Sequence, residues 1–201
     1  MDKYEFNIKV EQIKKMVSRG DYETAMKIAD TIDWHRVRNA SLLSMIAEIY
    51  EKNKEYQEAK DILLLAFERA PIGKRLLYKL TDLALKEGNV AEAEAYYREF
   101  CDLAQDDSRQ YLLRYLILKA KKAPLDQLIR ALETYTAVEV DEKWLYELAE
   151  LYHKGGMGDQ CVRTCDKIML LFGLGKYVEK AMDLKLEYEP LNKYQMDLVE
   201  N

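Results

Sequence analysis

Cys161 and Cys165 stand one helical turn apart, so both thiols could face one metal ion or one reactant. A zinc site needs four ligands, and no further Cys or His follows at zinc-site spacing, so no metal is expected. Two thiols in such a setting read as small buried packing groups. The chain has 2 histidines, His35 and His153, and neither has a nucleophile beside it in sequence. His153, next to Tyr152, reads as a side chain at the edge of a groove. Gly155-Gly156-Met157-Gly158 lacks the Lys-Ser/Thr that completes a phosphate loop and reads as a turn between helices. No set of residues is left that could run a reaction, so no enzyme activity and no cofactor are expected. The chemistry that remains is charge. Arg75, Lys79, Arg114 and Lys121 stand out in a chain of net charge −5, where an acidic segment of a partner would suit them.

The acidic balance, with a pI near 5.3, argues against nucleic acid, which needs clustered Lys and Arg. No apolar run approaches the ~18–20 residues of a membrane span. Met1-Asp2-Lys3-Tyr4-Glu5 has no apolar signal core. An odd 3 cysteines without framework spacing suit a reducing compartment, so a cytoplasmic protein is expected.

The elements that position these residues announce themselves by repetition. Ala25, Ala59 and Ala93 are 34 residues apart, each a few residues after a turn: Gly20-Asp21, Lys54-Glu55 and Gly88-Asn89. Such a period is that of a helix–turn–helix unit. The alanines fit where a second helix crosses the first and a larger group would hold the helices apart. With 3 prolines and 8 glycines, long helices and short turns are favoured. Apolar spacing predicts helices over about 3–18 and 22–32, 38–53 and 55–69, 74–87 and 90–104, 109–122 and 125–137, and 142–154 and 159–172. Another follows at 176–188, ended by Pro190. Trp34 and His35 fall in a connection, Pro71 and Pro124 at helix boundaries, and Asp107-Ser108 at an N-cap.

The middle copy reads Leu43-x2-Ile46-Ala47-x2-Tyr50, then Ala59-x3-Leu63-x2-Ala66, then Pro71. This resembles the tetratricopeptide repeat (TPR), whose consensus alternates large apolar, small and aromatic residues and ends on Pro. Leu77, Leu80, Thr81, Ala84, Ala93, Tyr97 and Phe100 continue it, as do Leu145, Leu148, Ala149 and Tyr152. In the fourth copy Leu128 takes the small-residue place, 35 rather than 34 residues after Ala93.

The resemblance implies an all-α, right-handed superhelical solenoid of about five repeats, at about 6–37, 40–73, 74–107, 109–141 and 142–174, with a capping helix at 176–188. These form one domain over 1–189, followed by a tail at 190–201 that could open a further segment. It also implies a protein–protein interaction scaffold or adaptor that binds a partner peptide in a concave groove lined by first helices. Counting from consensus places Ser44, Glu48, Arg75, Tyr78, Lys79, Asp82, Arg114, Ile117, Lys121, Tyr146, Glu150 and His153 on or beside that groove. The carboxylate clamp of chaperone-binding members is matched by Arg75 and Lys79 but not at Val10 or Met45. The alternative is a self-association or regulatory module of a larger protein, its groove filled by a C-terminal extension or a second subunit. The oligomeric state stays open.

One prediction rests on the spacing alone. Ala59→Leu overpacks a helix crossing and should cost roughly 1–3 kcal/mol. A thermal melt matching that of the wild type would show that Ala59 is not at a crossing.

Overall fold

A computed structural model of the chain describes residues 1–69 and 73–200, so the boundary expected at Pro71 lies outside the described residues. The architecture is all-α. Helices α1 (Lys3–Ser18) and α2 (Tyr22–Ala29) form the first pair, α3 (Ala40–Lys52) and α4 (Tyr56–Arg69) the second, and α5 (Lys74–Glu87) and α6 (Val90–Leu103) the third. Then come α7 (Arg109–Ala120) with α8 (Leu125–Val138), α9 (Glu142–Lys154) with α10 (Gly158–Phe172), and α11 (Lys176–Lys185) with α12 (Lys193–Glu200). Two compact units result, Met1–Asp107 and Ser108–Asn201.

The turns keep strict time. Gly20, Lys54, Gly88, Lys122 and Gly156, each 34 positions after the last, all have φ between 57° and 87°. That left-handed conformation reverses the chain between paired helices. It favours glycine, yet two of the five are lysines. The crossing residue is the fourth of each second helix: Ala25, Ala59, Ala93, Leu128 and Cys161. The three alanines and Cys161 are fully buried, whereas Leu128 is half-buried. The 35-residue step arises after the turn: Lys122 keeps time, but Pro124 precedes α8 and delays its start by one residue.

Among the described residues six α-helices begin under a side-chain cap. Asp2, Asp21, Asn39, Asn89, Asp141 and Asn192 each accept a hydrogen bond from a first-turn amide. Ser108 precedes α7 as expected but makes no such bond; its hydroxyl donates instead to Glu139 at 2.6 Å. Trp34 is no mere connector. It begins a 3₁₀ turn (Trp34–Arg36), is buried, donates from Nε1 to the Ala29 carbonyl at the end of α2 at 3.0 Å, and meets Phe6 edge to face.

Polar groups on the buried faces are paired. Lys60, on α4 beside the Ala59 crossing, is buried, with Nζ 2.5 Å from Glu87 and 3.0 Å from Glu92. Burial alone would lower its pKa; the hydrogen bonds it donates to the two carboxylates outweigh that and raise it. In the second unit Lys185 is buried and donates to Asp166 at 2.7 Å and Gln195 at 2.8 Å. Gln195, also buried, donates to Asp166 at 2.6 Å. The expected capping helix is thus α11, and the tail goes on into α12, tied down by this network.

The network predicts a local effect. Lys185→Ala leaves Asp166 and Gln195 short of a partner and should cost about 1–3 kcal/mol. Amide exchange should speed up across α12 while α1–α4 keep their protection. Unchanged exchange in α12 would show that the tail is held by other contacts.

Candidate functional site

First helices present the candidate residues, and the structure gives each a place. On α3, Ser44 is half-buried and Glu48 exposed. On α5, Arg75 is exposed, and Tyr78 is half-buried with its ring edge-on to Phe100 at 6.1 Å. Lys79 and Asp82 belong to a network with Glu51 and Lys86. Glu51 on α3 lies 2.5 Å from both Lys79 and Lys86, and Asp82 lies 3.5 Å from Lys79 and 3.1 Å from Lys86. Two carboxylates thus match two ammonium groups. Burial would raise the Glu51 carboxyl, but hydrogen bonds from Lys79 and Lys86 prevail and hold it below its ordinary value.

Arg75 and Lys79 lie in the first unit, Arg114 and Lys121 in the second. On α7, Ile117 is buried and Arg114 exposed, and Lys121, which follows the helix, is exposed. Arg114 lines a pocket of about 410 Å³ with Tyr111 and Leu118 of α7 and Gln127, Arg130, Ala131 and Thr134 of α8. Arg130 is bound to Asp126 at 3.1 Å. The α7 helix is joined to α9 through Glu147, which accepts a hydrogen bond from Tyr115 and lies 3.2 Å from Lys119.

On α9, Tyr146 is half-buried and Glu150 exposed. The Tyr146 ring lies 6.1 Å from that of Tyr177 on α11, at 41°. Burial first, then the charge of Glu150, pushes the Tyr146 hydroxyl up to about 12. His153 is not a bare groove edge. Its Nδ1 bonds to the Tyr188 hydroxyl, the rings meet edge to face at 5.4 Å, and Nε2 lies 3.7 Å from Glu187. Tyr188 also covers Gly158, where an added Cβ would sit 2.9 Å from its ring. One glycine of the Gly155–Gly158 run is therefore fixed by packing.

Cys161 and Cys165 are both fully buried, and burial pushes both thiols up, away from the reactive thiolate. Among the described residues no group of three His, Cys, Asp or Glu could hold a metal, and no helix is long and apolar enough to cross a membrane. Many tyrosines brace helices to one another. Tyr50 donates to Asp30 at 2.6 Å and Tyr152 to Glu133 at 2.6 Å, and burial, reinforced by these carboxylates, raises both phenols.

No family model and no curated protein sequence matches the chain. Solved structures do. A tetratricopeptide repeat protein from Parabacteroides merdae is 16% identical, with a TM-score of 0.67, covering 100% of this chain and 86% of its own. A thermophilic TPR protein of Thermus thermophilus is 14% identical, with a TM-score of 0.61, over 97% of this chain and 99% of its own. YrrB, described as a TPR protein with an unusual peptide-binding site, is 16% identical, with a TM-score of 0.52, over 96% of this chain and 91% of its own. At these identities the likeness is one of fold: the chain is an all-α solenoid of the tetratricopeptide kind.

The charge network predicts a pH dependence. A carboxyl held low in the folded state contributes stability above its unfolded pKa and loses it as pH falls through the folded value. The melting-temperature gap between wild type and Glu51→Gln should therefore be largest near neutral pH and close as pH drops below the ordinary value of 4.5. A gap independent of pH would show that the carboxylate charge contributes nothing.

Proposed function

We propose that the chain is a non-catalytic protein-interaction scaffold that works in the cytoplasm and holds an extended or helical segment of a partner against first helices within a unit. One observation carries the reading. Neighbouring first helices touch there through polar and aromatic side chains: Glu51 to Lys79 and Lys86 between α3 and α5, and Tyr146 to Tyr177 between α9 and α11. Fixed charges and half-buried rings give a peptide both hydrogen-bond partners and apolar area at little conformational cost. Second helices spend their small residues on the crossings. The likeness to YrrB supports the reading at the level of fold.

A second reading is favoured by a different surface. Leu170, Leu174 and Val199, near the C-terminal end, are 67%, 76% and 64% exposed. Apolar exposure of that kind suits self-association, and light scattering at two concentrations separates it from a monomeric adaptor.

The main reading is tested by panning a random-peptide phage library against the whole chain. It should return peptides whose affinity falls about tenfold with Ser44→Lys or Tyr146→Ala. No enriched peptide, or peptides indifferent to both substitutions, would overturn it.

A further inference from the structure

The lysines of the first unit's site are matched by acids. Lys79 and Lys86 share Glu51 and Asp82 between them, and Lys74 lies 3.1 Å from Asp107. Lysines bound in this way have little charge left to offer. Three lysines of the second unit behave differently. Lys180 stands over two rings at once, 5.8 Å from the centre of Tyr146 and 5.5 Å from that of Tyr177. Lys176 stands over Tyr177 at 5.0 Å, and Lys143 over Trp144 at 4.8 Å. Among the described residues none of the three has an ion pair, although Glu142 and Glu179 occupy the first turns of α9 and α11.

An ammonium held over a ring face keeps its outward N–H groups for another acceptor. Lys176 and Lys180 lie in the first half of α11 and Lys143 in the first turn of α9, where the helix dipole adds positive character. Besides Glu142 and Glu179, two acids lie further along the same helices. Glu150 and Asp183 are close enough to Tyr146 to add to the upward push on its hydroxyl that burial begins. Lysines and acids thus alternate along α9 and α11, and what sets Lys176 and Lys180 apart is their place over the rings of Tyr146 and Tyr177 without an ion pair.

We propose that the α9–α11 face, through Lys176, Lys180 and the Tyr146–Tyr177 ring pair, is the subsite that receives an acidic segment of a partner protein carrying an apolar or aromatic side chain. The carboxylates meet the lysines, and the apolar group lies on the rings. This rests on the scaffold reading and specifies the partner chemistry of its second-unit surface. It also moves the acidic contact away from Arg75 and Lys79.

The test uses the full chain and two labelled synthetic peptides, one of glutamates around a central phenylalanine and one with glutamines in their place, followed by fluorescence anisotropy. The glutamate peptide should bind about tenfold more tightly than its counterpart and weaken as salt rises. The Lys176→Glu/Lys180→Glu double variant should abolish that preference, and the same charge change at Lys167→Glu, an exposed position of α10, should leave it intact. Both lysines are exposed, so the double variant should melt like wild type; Lys180→Gln, which keeps the volume without the charge, should give an intermediate loss. Equal binding of the two peptides, a preference indifferent to the double variant, or no binding of the glutamate peptide would overturn the subsite. If both peptides bind equally and Tyr146→Ala releases both, the scaffold reading survives without the acidic partner. If neither binds and the phage library also returns nothing, both readings fall together.

Discussion

The structure depends on how closely two helices of a pair can cross. Where the fourth residue of the second helix is Ala25, Ala59, Ala93 or Cys161, the crossing point is fully buried. A methyl or a thiol is all that a close interaxial approach leaves room for. Repetition follows from this. Each left-handed turn residue comes 34 after the last, so each second helix brings its small residue back to the same height. The pair at α7 and α8 departs from the pattern, with Leu128 at the crossing and only half-buried. Tyr115 in the same pair is fully buried and bonded to Glu147 of α9, so this pair is held by a contact outside its crossing.

Much of this could be read from residue spacing, because the responsible interactions are local. Turn residues, caps and the apolar stripe lie within a few positions of one another, and the expected helix bounds agree with those found to within a residue or two in most elements. The second helix of the first pair stops earlier than expected, at Ala29, where the Trp34 indole takes up its last carbonyl. Residues joined across pairs were not legible. Glu51 with Lys79 and Lys86, and Lys185 with Gln195, become partners only once helices lie side by side, and any of several nearby acids could have served. One signal was present for Lys60. A lysine beside the crossing alanine falls on a buried face, and a buried ammonium requires carboxylates.

Those cross-pair contacts also decide what the surfaces can do. A lysine with two acidic neighbours is a structural strut; a lysine over an aromatic ring and outside any ion pair is an exposed cation on a rigid platform. Formal charge along the sequence does not separate the two cases. Arg75 and Lys79, conspicuous in the sequence, stand in the unit where lysines are matched, while Lys176 and Lys180 draw attention only through the rings beneath them.

The central claim is that first helices form the working face and second helices hold it in place. Hydrogen–deuterium exchange with and without a bound peptide tests this most directly. The account predicts slowed exchange in first helices alone, strongest at α9 and the N-terminal half of α11, with α8 and α10 unchanged. Protection centred on α8, α10 or α12 would contradict it and place the working surface on the second helices.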